Sequence, residues 1–180
     1  YDNRLIATFD GVQGQPFRYA NLTNELKSLL DSDPTTAQRI LNYVRGDNTY
    51  EQDNGGTFRN RAHKMGDVVH SSPVYEDGFL YAGGNDGMLH AFNADTGVEQ
   101  FAYVPKHVFD HLRDLVAPAY AHKFYVDLTP SVKQMSLYGD DGVDNDADGT
   151  TDEPDEAVSK TILVGGLGKG GRGFFALDVT

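Results

Sequence analysis

The stretch of the 180-residue chain that is richest in reactive side chains is an acidic window from Gly139 to Glu156. It contains nine carboxylates and no Lys or Arg, whereas the rest of the chain has 18 acidic and 15 basic residues. Most of the formal charge of −12 therefore lies in this window. Carboxylates this close together repel one another, and a bound divalent cation would relieve that repulsion.

From Asp144 onward, the window has the spacing of an EF-hand calcium loop. Carboxylates fall at loop positions 1, 3, 5, 9 and 12, and Gly149 stands at position 6, where such a loop turns sharply. Calcium takes six to eight oxygen ligands, and the residue at position 7 contributes its backbone carbonyl. The predicted ligands are Asp144, Asp146, Asp148, Thr150, Asp152 and Asp155.

This loop departs from the EF-hand pattern in two ways. Position 12 is Asp155 rather than Glu, so its carboxylate reaches the ion less readily, and Glu156 is the alternative ligand. Pro154 and strand-like neighbours predict a hairpin around the loop instead of two helices. We expect an affinity of ~10⁻⁵–10⁻³ M, in the range of extracellular calcium modules. The alternative interpretation is a solvated run of charge without a ligand.

The rest of the sequence predicts a mainly β chain with a few short helices. Apolar spacing predicts a helix over Leu22–Leu30, and Asp33-Pro34 is typical of the start of a second helix that stops near Gly46. A third helix is predicted over Pro105–Val116. The predicted parts are a lead-in segment (1–66), a first blade (67–105), a helical excursion (106–122) and a second blade (123–180) that carries the insertion 139–156.

The first blade is predicted from period-two apolar patterning. Tight-turn signals at Asp77-Gly78, 85–87 and 95–97 separate four short strands between Val68 and Val104 at about ten-residue spacing. Such a pattern is typical of an antiparallel meander.

The second blade repeats the first with an insertion. Pro130 aligns with Pro73 and Gly165 with Gly83, while the segment from Phe174 aligns with the one from Leu89. Pro73 and Pro130 are 57 residues apart, whereas Gly83 and Gly165 are 82 residues apart. The second blade therefore carries an added stretch between these two positions, and the acidic window lies in it. Two such units in tandem predict a partial β-propeller of quinoprotein-like blades, each a four-stranded antiparallel meander. A plain β-sandwich is the alternative.

Other motifs give weaker signals. Gly166–Gly171 has the letters of a dinucleotide fingerprint, but a strand and not a helix is predicted after it, so we interpret it as a turn. His107 and His111 have helical i, i+4 spacing without a third ligand nearby. The chain has no cysteine, and we find no catalytic constellation, so we expect a protein that is not an enzyme.

The bulk properties exclude two classes of partner. Outside the acidic window the chain is nearly neutral. Nucleic-acid binding is therefore not expected, because it requires a basic face. No apolar run approaches the ~20 residues of a transmembrane helix, so stable membrane insertion is not expected. The sequence begins with Tyr1 and has no signal-peptide pattern, and we interpret it as a piece of a longer, processed protein.

Several long blocks of residues 59–180 resemble the PilY family of type IV pilus tip-associated adhesins and occur in the family's order. The first 58 residues match more loosely. The matching blocks are Arg59-Asn60-Arg61, residues 65–75 (MGDVVHSSPVY), residues 84–93 (GNDGMLHAFN) and residues 163–180 (LVGGLGKGGRGFFALDVT).

This resemblance implies a modified propeller in the C-terminal part of a large exported bacterial protein, located at the cell surface, the pilus tip or the outer membrane. It implies a role in pilus biogenesis, surface attachment and twitching motility, with pilus tip or minor pilin components and a host or abiotic surface as partners. It also implies a calcium loop that regulates pilus retraction. By position, its ligands would be Asp144, Asp146, Asp148, Thr150 and Asp152.

A second function remains open at this point. A quinoprotein-type dehydrogenase would combine the same blades with pyrroloquinoline quinone and calcium. Those enzymes dock each blade with a tryptophan, whereas this chain has none. Phe101 and Tyr103 stand where the last strand of the blade would carry that tryptophan.

Overall fold

The structure is a computed structural model that describes residues 1–137, 144, 149–150 and 158–180. Two sheets and a set of short helices share one hydrophobic core in it. None of the helices in this part of the chain is long and apolar enough to cross a lipid bilayer. The strands are β1 (Ile6–Phe9), β2 (Gly14–Pro16), β3 (Val74–Glu76), β4 (Phe79–Gly83), β5 (Leu89–Asn93), β6 (Glu99–Val104), β7 (Ser131–Leu137), β8 (Val158–Gly166) and β9 (Phe174–Asp178).

The first sheet contains the predicted meander. Its strand order is β2-β1-β6-β5-β4-β3, and β3 to β6 pair antiparallel in sequence order. The hairpin predicted at Asp77-Gly78 is confirmed, because both residues have positive φ, at 45° and 84°, as a tight two-residue hairpin turn requires. The first of the predicted strands is shorter than expected and begins only at Val74.

The start of the chain differs from the prediction. No strand was predicted in the lead-in segment, yet β1 and β2 form a hairpin, and β1 pairs parallel with β6. Ile6 lies opposite Ala102, 96 residues away in the chain. A parallel partner this distant leaves no local pattern in the sequence, which is why the strand was missed.

Two of the three predicted helices form as expected. Helix α1 (Asn24–Leu30) is capped by the Thr23 side chain, and α2 (Pro34–Val44) by the Asp33 side chain, with Pro34 in the first helical turn. Both helices bury apolar side chains in the core. These buried residues include Leu26, Leu30, Ala37, Ile40, Leu41 and Val44.

The third predicted helix is broken into short pieces. Lys106–Val108 and Arg113–Val116 are 3₁₀ turns on either side of a single α-helical turn, α3 (Phe109–Leu112). The side chains that were expected on one helical face, Val108, Leu112, Leu115 and Val116, are nevertheless all buried, together with Phe109.

The second sheet has three strands within the described residues, in the order β7-β8-β9, where four were predicted. The second blade was predicted to start at residue 123, but residues 124–129 form an irregular segment against the first sheet. Val126 donates to Gly84 O at 3.4 Å, and Asp127 donates to Leu167 O at 3.2 Å. A Cβ at Gly170 would lie 1.9 Å from Tyr125 O, so a glycine is needed where the two backbones meet.

Strand pairing also corrects the internal alignment by one residue. Leu89 lies opposite Gly83 in the first sheet, and Phe175 lies opposite Gly165 in the second. Phe175, not Phe174, is therefore the counterpart of Leu89. The distinction matters because a one-residue slip moves every side chain of a strand to the other face. Phe175 is buried and packs 5.1 Å from the ring of Tyr103, which joins the two sheets.

Candidate functional site

The predicted calcium loop lies in the connection between β7 and β8, which are antiparallel strands, so strands and not helices flank it, as predicted. The carboxylate Oδ2 of Asp144 accepts a hydrogen bond from the backbone N–H of Gly149 at 2.8 Å. Gly149 has a φ of +99°, the left-handed conformation for which position 6 needs glycine. Thr150 is exposed. The other predicted ligands, Asp146, Asp148, Asp152 and Asp155, lie outside the described residues.

Metal-ligating side chains do not cluster elsewhere in the part of the chain that the structure describes. Within residues 1–137 and 158–180, together with the three described loop residues, no group of three or more His, Asp or Glu side chains is arranged to hold a metal ion. His111 lies on the surface 3.7 Å from Asp110 and 3.9 Å from Asp114.

A buried ionic network lies where the lead-in segment meets the first sheet. His90 on β5 is 1% exposed; its Nε2 lies 3.1 Å from Asp86 Oδ1 and its Nδ1 lies 2.8 Å from Glu99 Oε1. Arg4 donates to both oxygens of Glu99, at 2.6 and 2.7 Å. The second oxygen of Asp86 accepts from the backbone N–H of Gly66 at 2.8 Å. Every carboxylate in this network therefore has at least one charged or N–H partner.

The network shifts the pKa values of its members in the directions that keep them charged. Burial alone would lower the pKa of His90, but the carboxylates of Asp86 and Glu99 outweigh it and raise that pKa to about 9. Burial likewise opposes ionisation of Glu99, yet hydrogen bonds from Arg4 and His90 lower its pKa to about 2. The pKa of Asp86 is also lowered, because contact with His90 overcomes its burial. His90 is thus an imidazolium at neutral pH.

This arrangement supports a structural role for the buried ionic network. The imidazole of His90 is closed off from solvent, so it is not placed to meet a substrate. Arg4 also donates to Arg45 O at 2.9 Å, and the guanidinium of Arg45 donates to the carbonyls of Phe17 and Arg4. These bonds attach the first residues of the chain to the first sheet.

A second histidine–carboxylate contact lies between the two sheets. His70 Nδ1 is 2.7 Å from Oδ2 of Asp127, a side chain that is 2% exposed. His70 Nε2 lies 3.3 Å from Nζ of Lys169, which stands over the ring of Phe124. Lys169 belongs to the 3₁₀ turn Gly168–Gly170, which is followed by β9 and not by a helix. The glycine-rich motif is therefore a turn between strands, as predicted.

Sequence reasoning missed the buried ionic network entirely. Asp86 was interpreted only as a turn residue, and Arg4 and Glu99 carried no motif. The available signal was His90 between Leu89 and Ala91 in an otherwise apolar strand, since a buried histidine needs polar partners.

Comparisons with known proteins identify the family. The sequence model of the PilY1 beta-propeller domain matches residues 67–180. The chain belongs to the PilY1 family. The resemblance inferred from the sequence is thereby confirmed, as is the mainly β propeller fold class.

Curated members of the PilY1 family match almost the whole chain. The type IV pilus biogenesis factor PilY1 of Pseudomonas aeruginosa strain UCBPP-PA14 is 34% identical over 99% of the chain, and a PilY1 homolog of Xylella fastidiosa strain Temecula1 is 34% identical over all of it. The chain spans 17% and 15% of these proteins. Both are named as biogenesis factors and not as enzymes. No solved structure matches the chain significantly.

Proposed function

We propose that this chain is a calcium-binding propeller module of a pilus tip-associated adhesin, which supports type IV pilus biogenesis, surface attachment and calcium-regulated retraction. The observation that carries the pilus role is the PilY1 beta-propeller match, together with relatives named as type IV pilus biogenesis factors. The proposal includes no catalytic step. It places the module at the bacterial cell surface, with pilus tip or minor pilin components and a host or abiotic surface as partners.

The calcium part of the proposal is supported by the start of the loop. The bond from Gly149 N–H to Asp144 folds position 6 back onto position 1, which is the sharp turn that a calcium loop requires at its glycine. Asp144, Asp146, Asp148, Asp152 and Asp155 would supply carboxylate oxygens, and Thr150 its backbone carbonyl. The ion would offset repulsion in the window and stiffen the connection between β7 and β8.

A calcium titration of three proteins tests this assignment. We expect the double variant Asp144→Ala, Asp148→Ala to bind calcium at least ten times more weakly than the parent by isothermal titration calorimetry, because it loses two predicted ligands. The matched control is Asp140→Ala, Asp141→Ala, which removes the same charge from the same window but from outside the loop. Equal calcium affinity in the first variant and the parent would refute the site.

Two further measurements separate calcium binding from its consequences. Hydrogen exchange of residues 139–156 should slow on calcium addition in the parent and in the control, but not in the loop variant. The same substitutions in the full-length protein of a piliated bacterium should change twitching only for the loop variant. If calcium binding is lost while twitching stays normal, the ion is a fixed brace in this protein and does not regulate retraction.

A further inference from the structure

A small cleft lies between the lead-in segment and the first sheet, away from the predicted calcium loop. Its volume is about 250 Å³, and it is enclosed by the end of α2, by residues 59–67, by the turn at Asn85-Asp86 and by Tyr120. A water molecule takes ~30 Å³ of liquid, and pockets for drug-sized ligands begin at ~300 Å³. The cleft therefore has the size for a small ligand of a few heavy atoms.

Two buried hydrogen-bond donors beside this cleft have no acceptor among the residues that the structure describes. Asn85 is 3% exposed; its Oδ1 accepts from the backbone N–H of Tyr125, whereas its Nδ2 has no partner. The Nε of Arg59 is also buried and without a partner. An unmet buried donor costs ~1–3 kcal/mol, so two of them beside one cleft indicate an acceptor-bearing ligand.

The charges around the cleft favour an anion. Neither Arg59 nor Lys64 has a carboxylate within 4 Å in the described part of the chain, and the guanidinium of Arg59 stands 4.0 Å over the ring of Tyr120. The two carboxylates that line the cleft are already engaged. Asp86 is bonded to His90, and Asp67 lies 2.8 Å from His122. Arg59 and Lys64 therefore form no ion pair with any carboxylate in the described residues.

We propose that this cleft, the oxyanion cleft, binds a small carboxylate between Arg59 and Asn85. A carboxylate only accepts hydrogen bonds, and its planar pair of oxygens suits both the fork of a guanidinium and a neighbouring amide N–H₂. Arg59 supplies the charge, Asn85 supplies a buried neutral donor, and Lys64 adds attraction at the mouth. The proposal is independent of calcium binding.

Nuclear magnetic resonance titration with sodium malonate tests the proposal, in calcium-free buffer because malonate chelates calcium. The Arg59 Nε–H and Asn85 Nδ2 resonances should shift and saturate in the parent, while sodium chloride at equal ionic strength should not shift them. Asn85→Asp keeps the acceptor for Tyr125 but turns the donor into a carboxylate, and Arg59→Gln removes the charge. Each variant should weaken malonate binding at least tenfold.

The matched control is Arg39→Gln. Arg39 also stacks on a tyrosine, 4.3 Å from the ring of Tyr50, and its Nε is likewise unpartnered, but it does not line the cleft. Its removal should leave malonate affinity unchanged.

Circular dichroism verifies that each variant is folded, and Arg59→Lys serves as the second variant if Asn85→Asp does not fold. Unshifted resonances, equal affinity in all variants, or saturable binding of inorganic phosphate without malonate binding would each overturn the assignment.

Discussion

Residues at equivalent strand positions are buried in the first sheet and exposed in the second. His90 lies opposite Ala82 in the first sheet, and Ala176 lies opposite Val164 in the second. His90 and Ala82 are buried, whereas Val164 is 43% exposed and Ala176 is exposed as well. The repeat that generates both sheets therefore does not decide which faces are buried.

Contacts from the lead-in segment account for this difference in burial between the two sheets. Arg4 and Gly66 reach the first sheet and bond to Glu99 and Asp86, so that both faces of β5 are covered and three consecutive residues of it are buried. Strand β9 alternates between exposed and buried positions instead. A strand covered on both faces can hold a histidine only if carboxylates accompany it, since an unpaired buried charge is costly.

The largest expected effect comes from removing the charge at the centre of the first sheet. His90→Gln should lower the free energy of unfolding by about 3–5 kcal/mol, because it leaves Asp86 buried without its cation and removes one of the partners of Glu99. The control is His122→Gln, which breaks a contact of 2.8 Å with Asp67 on the surface and should cost at most about 1 kcal/mol. Urea denaturation measures both. Similar losses in the two variants would show that burial does not set the strength of these pairs.

The pH dependence of the free energy of unfolding tests the buried ionic network in the unmutated protein. The pKa of His90 is raised from 6.5 to about 9, so its contribution is complete below pH 6.5 and is lost as the pH rises toward 9, by roughly 3 kcal/mol. The pKa of Glu99 is lowered from 4.5 to about 2, so its contribution is complete above pH 4.5 and is lost as the pH falls toward 2. Urea midpoints from pH 2 to 9 should therefore be highest between about 4.5 and 6.5.

The His90→Gln variant isolates this effect from other groups that titrate over the same range. The fall in stability between pH 6.5 and 9 should be much smaller in the variant than in the parent. If the variant does not fold, an imidazole titration of His90 in the parent replaces it. A midpoint for His90 near 6.5 would contradict the proposed coupling to Asp86 and Glu99.

The sequence predicted those features that depend on near neighbours. The cap at Asp33 and the turn at Asp77-Gly78 were visible because a few adjacent residues decide them. The predicted calcium loop is also a local pattern; the structure describes its contact between Asp144 and Gly149, and calcium binding there stays a prediction. The buried ionic network was missed because Arg4 lies 95 residues from Glu99 and reaches it only through the parallel pairing of β1 with β6, although His90 in an apolar strand was a local signal.

The smallest of these effects concerns the segment that lies between the sheets. Gly170→Ala places a methyl group against the carbonyl of Tyr125, where the backbone must shift, and we expect a loss of about 1–3 kcal/mol in the free energy of unfolding. Gly14→Ala is the control, since Gly14 has open space around its Cβ position and no positive φ, so its effect should stay within about 0.5 kcal/mol. Urea denaturation of both variants measures the difference. Val126 also donates to the carbonyl of Gly84, directly after β4. A loss at Gly170 as small as that at Gly14 would therefore mean that the contact on the β4 side alone holds this segment in place.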